Sequence, residues 1–453
     1  MTPASITDVT DRWPGWGQVL DTLTLQAGFN TTVVIVGTTL LGIAAGVIGA
    51  FALLRKRALM ADALSHATLP GVCLAFLVLG AFGVAARSLP LLLLGAAATG
   101  VLGLLCIHLL LRHTRLREDA AIGIVLSVFF GAGVVLLSVI QSRPTGNQGG
   151  LSHFIYGQTA AMSRGDAAFM ATIAALAVLA ALLLAKEFAV VCFDDGFAAV
   201  AGLPVVAIDL VLMTLVVLVT VTGLQAVGLL LVVALLVIPA AAARFWTERL
   251  WLLLVLAAAI GGLSGYLGAS MSALLPRKPA GAVIVLTAGA VFACSMLAAP
   301  NRGVLAAAIR ILRTRLRVAS EHLLEVLYER ERLAPAGGAV DIRRIAVARG
   351  WPGWRANLVA MLLSRRGLVE RRGRGLALTG LGRAAGARVS RNHRLWEQYL
   401  VTHAEIAPSH VDWSADQVEH VLSEPLVREL EAALRAQGID VPAARGGMEG
   451  ATA

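Results

Sequence analysis

Charge is what this sequence lacks first. Of 453 residues only 15% are Asp, Glu, Lys or Arg, while 58% are hydrophobic and the mean hydropathy is +0.78. A soluble domain carries roughly 25% charged residues, so lipid must be the solvent for part of this chain. Cysteine is scarce too. The four, Cys73, Cys106, Cys192 and Cys294, lie in or beside apolar segments, and none forms a C-x-x-C pair. Neither a zinc ribbon nor a disulfide framework is suggested. There is no G-x-x-x-x-G-K-S/T phosphate loop, so ATP-driven work would need another subunit. Residues 1–28 lack a basic start followed by a short apolar core, and no cleavable signal peptide is read there. Trp13 and Trp16 suit an interfacial segment instead. No nucleophile–base pair or cofactor loop stands out, so enzymatic chemistry is not suggested.

What the sequence has is apolar runs. Nine approach the ~20 residues that a bilayer core requires: 29–54, 63–85, 88–111, 120–141, 166–186, 206–222, 224–243, 249–272 and 280–299. The predicted fold class is therefore an all-α polytopic membrane protein of about nine helices. Its positive charges orient it. Arg55-Lys56-Arg57 follows the first run, Arg112, Arg115 and Arg117 the third, Arg244 and Arg249 flank the gap after the seventh, and Arg302 to Arg317 follow the ninth. These alternate loops share a side, and the positive-inside rule makes it the cytoplasm, although Arg277 and Lys278 count against it. The N-terminus is then outside and the C-terminal third cytosolic, in a bacterial inner membrane. The expected divisions are an extracytoplasmic segment 1–28, a membrane domain 29–300, a soluble domain 303–437 and a disordered tail 438–453.

Two stretches outside the runs have shape. The loop 187–205, KEFAVVCFDDGFAAVAGLP, sets Asp194 and Asp195 before a small amphipathic stretch. Its spacing fits a short helix across the cytoplasmic face or an ordinary surface loop. The soluble third begins with a helix over about 303–332, ended by Pro335-Ala336-Gly337-Gly338. Short helices at 341–350 and 354–366 follow, then a basic hairpin at 368–378 and two or three helices over 380–437. Helix–turn–helix plus a basic hairpin is the outline of a winged helix. The wing arginines, Arg365, Arg366, Arg371, Arg372 and Arg374, suit DNA phosphate or anionic lipid. Tethering just below a membrane favours lipid.

Polar residues inside the runs carry the functional argument. Asp62, Ser65 and His66 open the second run in ADALSHATLPG, and Asp62 and His66, at i and i+4, share one helix face. Ionisable groups in a span are costly and usually mark an ion path; a carboxylate with an imidazole suits manganese, iron or zinc. Asp62 as a plain helix cap at the interface is the other reading. Weaker signals are Asn147, Gln148, His153 and Gln158 in the outer loop, Gln225 between the sixth and seventh runs, and Pro239, read as a break in the seventh.

Two resemblances sharpen this. RKRALMADALSHATLPGVCLAF, LQAVGLLLVVALLVIPAAAAR and FDDGFAAVAGLP, in that order, resemble blocks of the metal-chelate ABC permeases, the manganese, zinc and iron class, over about residues 25–300. That resemblance implies that Asp62 and His66 contact metal in the permeation path. It also implies that Asp194, Asp195, Ala199 and Gly202 belong to an ATPase-coupling loop. The implied partners are an ABC ATPase subunit, an extracytoplasmic metal-binding protein and a second permease copy. The soluble third resembles the diphtheria-toxin-repressor and manganese-regulator family. EHLLEVLYE places His322 and Glu325 at its first ligand positions, NHRLWEQYL gives His393 with Glu397 accessory, and DQVEHVL gives Asp416, Glu419 and His420. His322/Glu325 and Asp416/Glu419 at i, i+3, and Asp416/His420 at i, i+4, each share a helix face. His410 and Asp412 would fill an accessory site. Nitrogen and oxygen donors without thiolate favour Mn or Fe over a structural zinc cage; for the metal as a whole the expectation is Mn2+, with Zn2+ or Fe2+ as alternatives. His322 and Asp416 depart from the family's usual ligands.

The expected function is thus the permease of an importer for a divalent transition metal, most simply Mn2+, carrying a cytosolic metal-sensing domain. The rivals are a membrane-tethered metal-responsive transcription regulator, for which DNA binding is the less favoured reading of the wing, and an ATP-independent channel or secondary transporter.

Overall fold

The structure is a computed structural model describing residues 15–81, 89–142, 162–275, 279–333, 339–373, 375–403 and 424–436. The chain divides into two compact units, Met1–Ala306 and Ala307–Ala453.

The first unit is helical. After α1 (Trp16–Leu23) come α2 (Phe29–Leu54), α3 (Ala58–Ala67), α4 (Leu69–Ala81), α5 (Leu89–His113), α6 (Glu118–Gln141) and α7 (Arg164–Leu183). Then follow α8 (Ala185–Phe193), α9 (Asp195–Val200), α10 (Val205–Val227), α11 (Leu229–Arg244), α12 (Leu250–Leu274) and α13 (Ala280–Ala298). Among the described residues eight segments are long and apolar enough to cross a membrane, α3 and α4 together forming one of them, Ala58–Gly80. The remaining expected run, the seventh, is α11, whose apolar part, Val232–Arg244, is shorter. Outward residues such as Val128 and Val135 are large, apolar and more than 60% exposed, the pattern of a helix solvated by lipid.

Three boundaries differ from the sequence reading, each for a local reason. The second span starts at Ala58 and is interrupted at Thr68, whose hydroxyl donates to the Ser65 carbonyl at 2.5 Å. Pro70 then falls in the first turn of α4, where its missing N–H costs nothing. The break between the sixth and seventh runs falls at Gly228, with φ 89°, rather than near residue 223. Gly228 supplies the left-handed backbone, whereas Gly223 stays inside α10 and Gln225 lies in its last turn. Pro239 sits inside α11 without ending it; membrane helices tolerate proline because neighbours re-satisfy the freed backbone groups.

α2 is the hub and packs against α7, α10, α11 and α12. Its contact with α12 is backbone on backbone. A Cβ on Gly42 would run into the Gly261 carbonyl, one on Gly46 into that of Ala257, and one on Gly265 into that of Thr38. Small residues permit this approach where no hydrophobic effect drives helices together, and the Thr38 hydroxyl seals it with a 3.3 Å bond to the Gly265 carbonyl. α3 lies among α5, α6, α10 and α11, so its polar residues are set among helices.

The second unit starts within α14 (Val304–Leu333) and continues through β1 (Val340–Asp341), α15 (Ile342–Ala348), α16 (Gly353–Arg365), β2 (Val369–Arg372), β3 (Gly375–Leu378), α17 (Gly380–His403) and α18 (Glu424–Ala436). The expected hairpin forms, with Val369 opposite Leu378 and Arg372 opposite Gly375. β1, which the sequence reading did not contain, adds to the far side of β3, giving the order β1-β3-β2. Leu323, Leu327, Val359, Leu363, Val369 and Leu376 close one core, and the result is a winged helix. α17 and α18 pack separately through Leu395, Val427 and Leu434. Residues 1–14, Asn147, Gln148, His153, Gln158, Arg277, Lys278, Arg374 and the tail 438–453 lie outside the described residues.

Candidate metal centres

The first centre is on α3. Nε2 of His66 lies 3.8 Å from Oδ1 of Asp62, as the i, i+4 spacing demands. The two side chains differ in access: His66 is 15% exposed and Asp62 46%. The His66 ring is held edge-on by Phe130 at 5.1 Å between centroids. Its buried Nδ1 finds no hydrogen-bond partner among the described residues. Ser65 turns back onto the Asp62 carbonyl at 2.7 Å, which occupies its hydroxyl and leaves the aspartate carboxylate to face the imidazole. A borderline cation can be taken by such an oxygen and nitrogen pair.

The stretch 194–202 is largely helical. Asp194 caps α9 by accepting the Phe197 N–H at 2.9 Å, and Gly202, with φ 82°, makes the turn that ends it. Ala199 is exposed, as are Phe197 (62%) and Val200 (89%). Asp195 points back to Arg55, 3.2 Å away.

That contact opens a network the sequence reading missed. Asp209, in the first turns of α10, receives Arg55 Nε on Oδ1 at 3.1 Å and Arg57 Nη2 on Oδ2 at 3.0 Å. Arg57 also reaches Glu118 Oε1 at 3.1 Å, and Arg55 donates to the Val191 carbonyl at 3.1 Å. Burial works against the Arg55 charge, but the hydrogen bonds and charges of Asp209 and Asp195 outweigh it and raise its pKa above the ordinary arginine value. In the sequence Arg55-Lys56-Arg57 reads as an orientation signal and as the start of the permease-like block, with nothing local to name an acidic partner. The lone acid in the run 206–222 was the available clue to its partner.

The second centre is built on Glu325 in α14. Its side chain is only 6% exposed. Nδ1 of His322 lies 3.9 Å from Oε2, Nδ1 of His393 on α17 lies 3.8 Å from Oε1, and Arg349 Nη2 lies 3.6 Å from Oε2. Desolvation pushes the Glu325 carboxyl up. The facing His322 imidazole, then His393, Arg349 and the His322 charge, pull it down more strongly, and its pKa falls below the ordinary glutamate value. Three predicted ligands from two helices thus converge. Among the described residues no group of three side chains is drawn in tightly enough to enclose an ion. The donor chemistry nevertheless fits a resident metal: a buried carboxylate whose Oε2 makes no hydrogen bond, flanked by two imidazoles. Glu397 follows one turn after His393 on α17, with its side chain outside the described set. Asp416, Glu419, His420, His410 and Asp412 also lie outside the described residues. Arg365, Arg366, Arg371 and Arg372 are all exposed; Arg371 reaches the Asn357 amide oxygen at 3.3 Å and Arg372 pairs with Glu370.

Known proteins share both parts. Residues 29–299 match the ABC 3 transport family, and residues 379–437 match the iron dependent repressor, metal binding and dimerisation domain. The manganese transport system membrane protein MntC of Bacillus subtilis is 42% identical over 300 residues, 66% of this chain and 68% of its own. The zinc transport system membrane protein TroC of Treponema pallidum is 41% identical over 272 residues, 60% of this chain and 90% of its own. A probable metal transport system membrane protein of Chlamydia pneumoniae is similar over both parts, 29% identical across 88% of this chain and 91% of its own. The solved PsaBC from Streptococcus pneumoniae, in complex with Fab, superposes with a TM-score of 0.55 at 31% identity, covering 63% of this chain and 97% of that one. With 271 residues of one family's pattern matched and a repressor-like metal-binding module following it, the chain belongs to the ABC 3 transport family.

Proposed function

We propose that this chain imports a divalent transition metal across the bacterial membrane as one permease of an ABC importer, with Mn2+ as the cargo and Zn2+ or Fe2+ as the alternatives. The observation that carries the reading is the Asp62–His66 pair, 3.8 Å apart on a helix enclosed by four others. Relatives named for manganese and zinc transport support the cargo. An ATPase subunit binds the exposed apolar face of α9, an extracytoplasmic binding protein delivers the metal, and two permease copies form the pore. Asp62 offers the accessible oxygen, and His66, oriented by Phe130, offers the nitrogen. Sharing the ion between two ligands and water keeps it weakly enough held to leave.

The second unit is cytosolic and senses the same metal. Glu325, His322 and His393, completed by Glu397, Asp416, Glu419 and His420, hold a divalent ion, with His410 and Asp412 as an accessory site. When bound, a divalent ion would supply positive charge beside the buried Glu325 carboxylate, with His322 and Glu325 of α14 and His393 of α17 holding it. The exposed arginines of the wing face anionic lipid rather than operator DNA. The outcome is restraint of uptake when cytosolic metal is plentiful.

The test is uptake by vesicles containing the full chain and its ATPase. ATP-dependent accumulation of Mn2+, slowed by Mn2+ on the ATPase side, is expected. Accumulation that ignores ATP would overturn the importer reading. Inhibition unchanged by His393→Ala would overturn the sensor reading.

A further inference from the structure

The Asp195–Arg55–Asp209–Arg57–Glu118 chain takes no part in holding metal, yet it is costly to build. Arg55, Arg57 and Asp209 are each only 15–17% exposed. Ion pairs taken this far from water often stabilise no better than apolar side chains of equal volume. Stability alone does not account for three such charges at the end of an apolar bundle. Their placement does. Asp195 opens α9, Arg55 closes α2, Arg57 caps α3, Glu118 opens α6 and Asp209 lies near the start of α10. The network therefore ties the short exposed helix α9 to four helix ends at once.

Arg55 and Arg57 grip the two ends of a strained turn. Lys56 between them has φ 61°, a left-handed backbone that a side chain such as lysine seldom adopts. Such strain persists only where the surroundings over-determine it, and here both flanking guanidinia are anchored on Asp209. α3 begins directly after the turn and ends at the Thr68 break, so it is a ten-residue rod with a fixed grip at one end and a joint at the other. Asp62 and His66 ride on it. A displacement of α9 pulls Arg55 through Asp195, while the Val191 carbonyl of the neighbouring α8 holds the same guanidinium, and Asp209 passes that pull to Arg57 and α3.

We infer that Arg55, Arg57 and Asp209 are positioning residues that transmit the motion of α9 to the metal pair on α3. The inference rests on the permease reading given above. Its measurement is the ratio of Mn2+ transported to ATP hydrolysed by the full chain with its ATPase in vesicles, corrected for the amount of folded complex. In Asp209→Asn both bridges weaken, and the ratio is expected to fall roughly tenfold, within the range of site-to-site couplings, because uptake drops far more than hydrolysis. Asp209→Glu keeps the charge and restores most of the ratio. Arg55→Lys keeps the charge but loses the fork, and gives an intermediate ratio even where Asp209→Asn fails to assemble. Uptake and hydrolysis falling in equal proportion in both Asp209→Asn and Arg55→Lys would mean a merely structural role and would overturn the inference. Wild-type complex that hydrolyses ATP without moving Mn2+ would instead sink the permease reading beneath it.

Discussion

Nδ1 of His393 stands 3.8 Å from Oε1 of Glu325, joining two helices of the second unit across a buried carboxylate. Nothing in either helix alone requires this. α14 spends its apolar face on the winged-helix core, Gly386 lets α17 lie close against Tyr328 and the Leu324 carbonyl, and the polar contact stands beside that seam. If it is a ligand pair, Mn2+ added to the full chain should raise the melting temperature of the second unit. His393→Ala should lower the affinity by at least the roughly 10–100-fold that loss of an outer-shell partner costs. Calorimetry across a Mn2+ titration reads both, and equal stabilisation of wild type and variant would exclude His393 as a ligand.

Glu325 also sets a pH dependence in metal-free protein. Its folded pKa is depressed, so its contribution to stability is present above the ordinary glutamate pKa of 4.5 and is lost as pH falls through the lower folded value. The second unit should therefore lose stability on acidification below about pH 4.5. Glu325→Ala should remove that component and cost about 3 kcal/mol at pH 7, the scale of breaking a buried pair by deleting one partner. Thermal melts of the metal-free chain at stepped pH check this; a variant as acid-sensitive as the wild type would contradict it.

The seam between α2 and α12 predicts a sharp steric limit. Gly46→Val sets three carbons against the Ala257 carbonyl where not even one fits, and the helices must separate. Overpacking of about 1–3 kcal/mol or more follows, seen as loss of folded protein in detergent. Gly80→Ala, at a glycine with open space around it, should be silent. Equal yields of the two variants would refute the close approach.

Much of this was legible in the sequence because membrane helices advertise themselves by length and apolarity. α2, α5, α6, α12 and α13 fall where their apolar runs do. The hairpin, too, follows from alternating residues around Gly373. Other features were hidden for physical reasons. β1 is two residues long and exists only because β3 has a free edge. The joint at Thr68 is a backbone event inside an unbroken apolar run. Gly223 and Gly228 look alike on paper, and only packing decides which one breaks the helix. Asp62 and His66 were readable as a pair because their spacing is local. Asp209 was not, because its arginines lie some 150 residues earlier and no local pattern links them. His322 and His393 each come within 4 Å of Glu325, and their role as ligands is the proposal that the Mn2+ titration above tests.

The most direct test of the central claim is ATP-driven Mn2+ uptake by vesicles holding equal amounts of wild-type and His66→Ala complex. The expected result is loss of uptake by at least about 10–100-fold, with the variant still folded and still bound to its ATPase. Uptake at the wild-type rate in His66→Ala, and again in Asp62→Ala, would show that the metal does not pass by this pair.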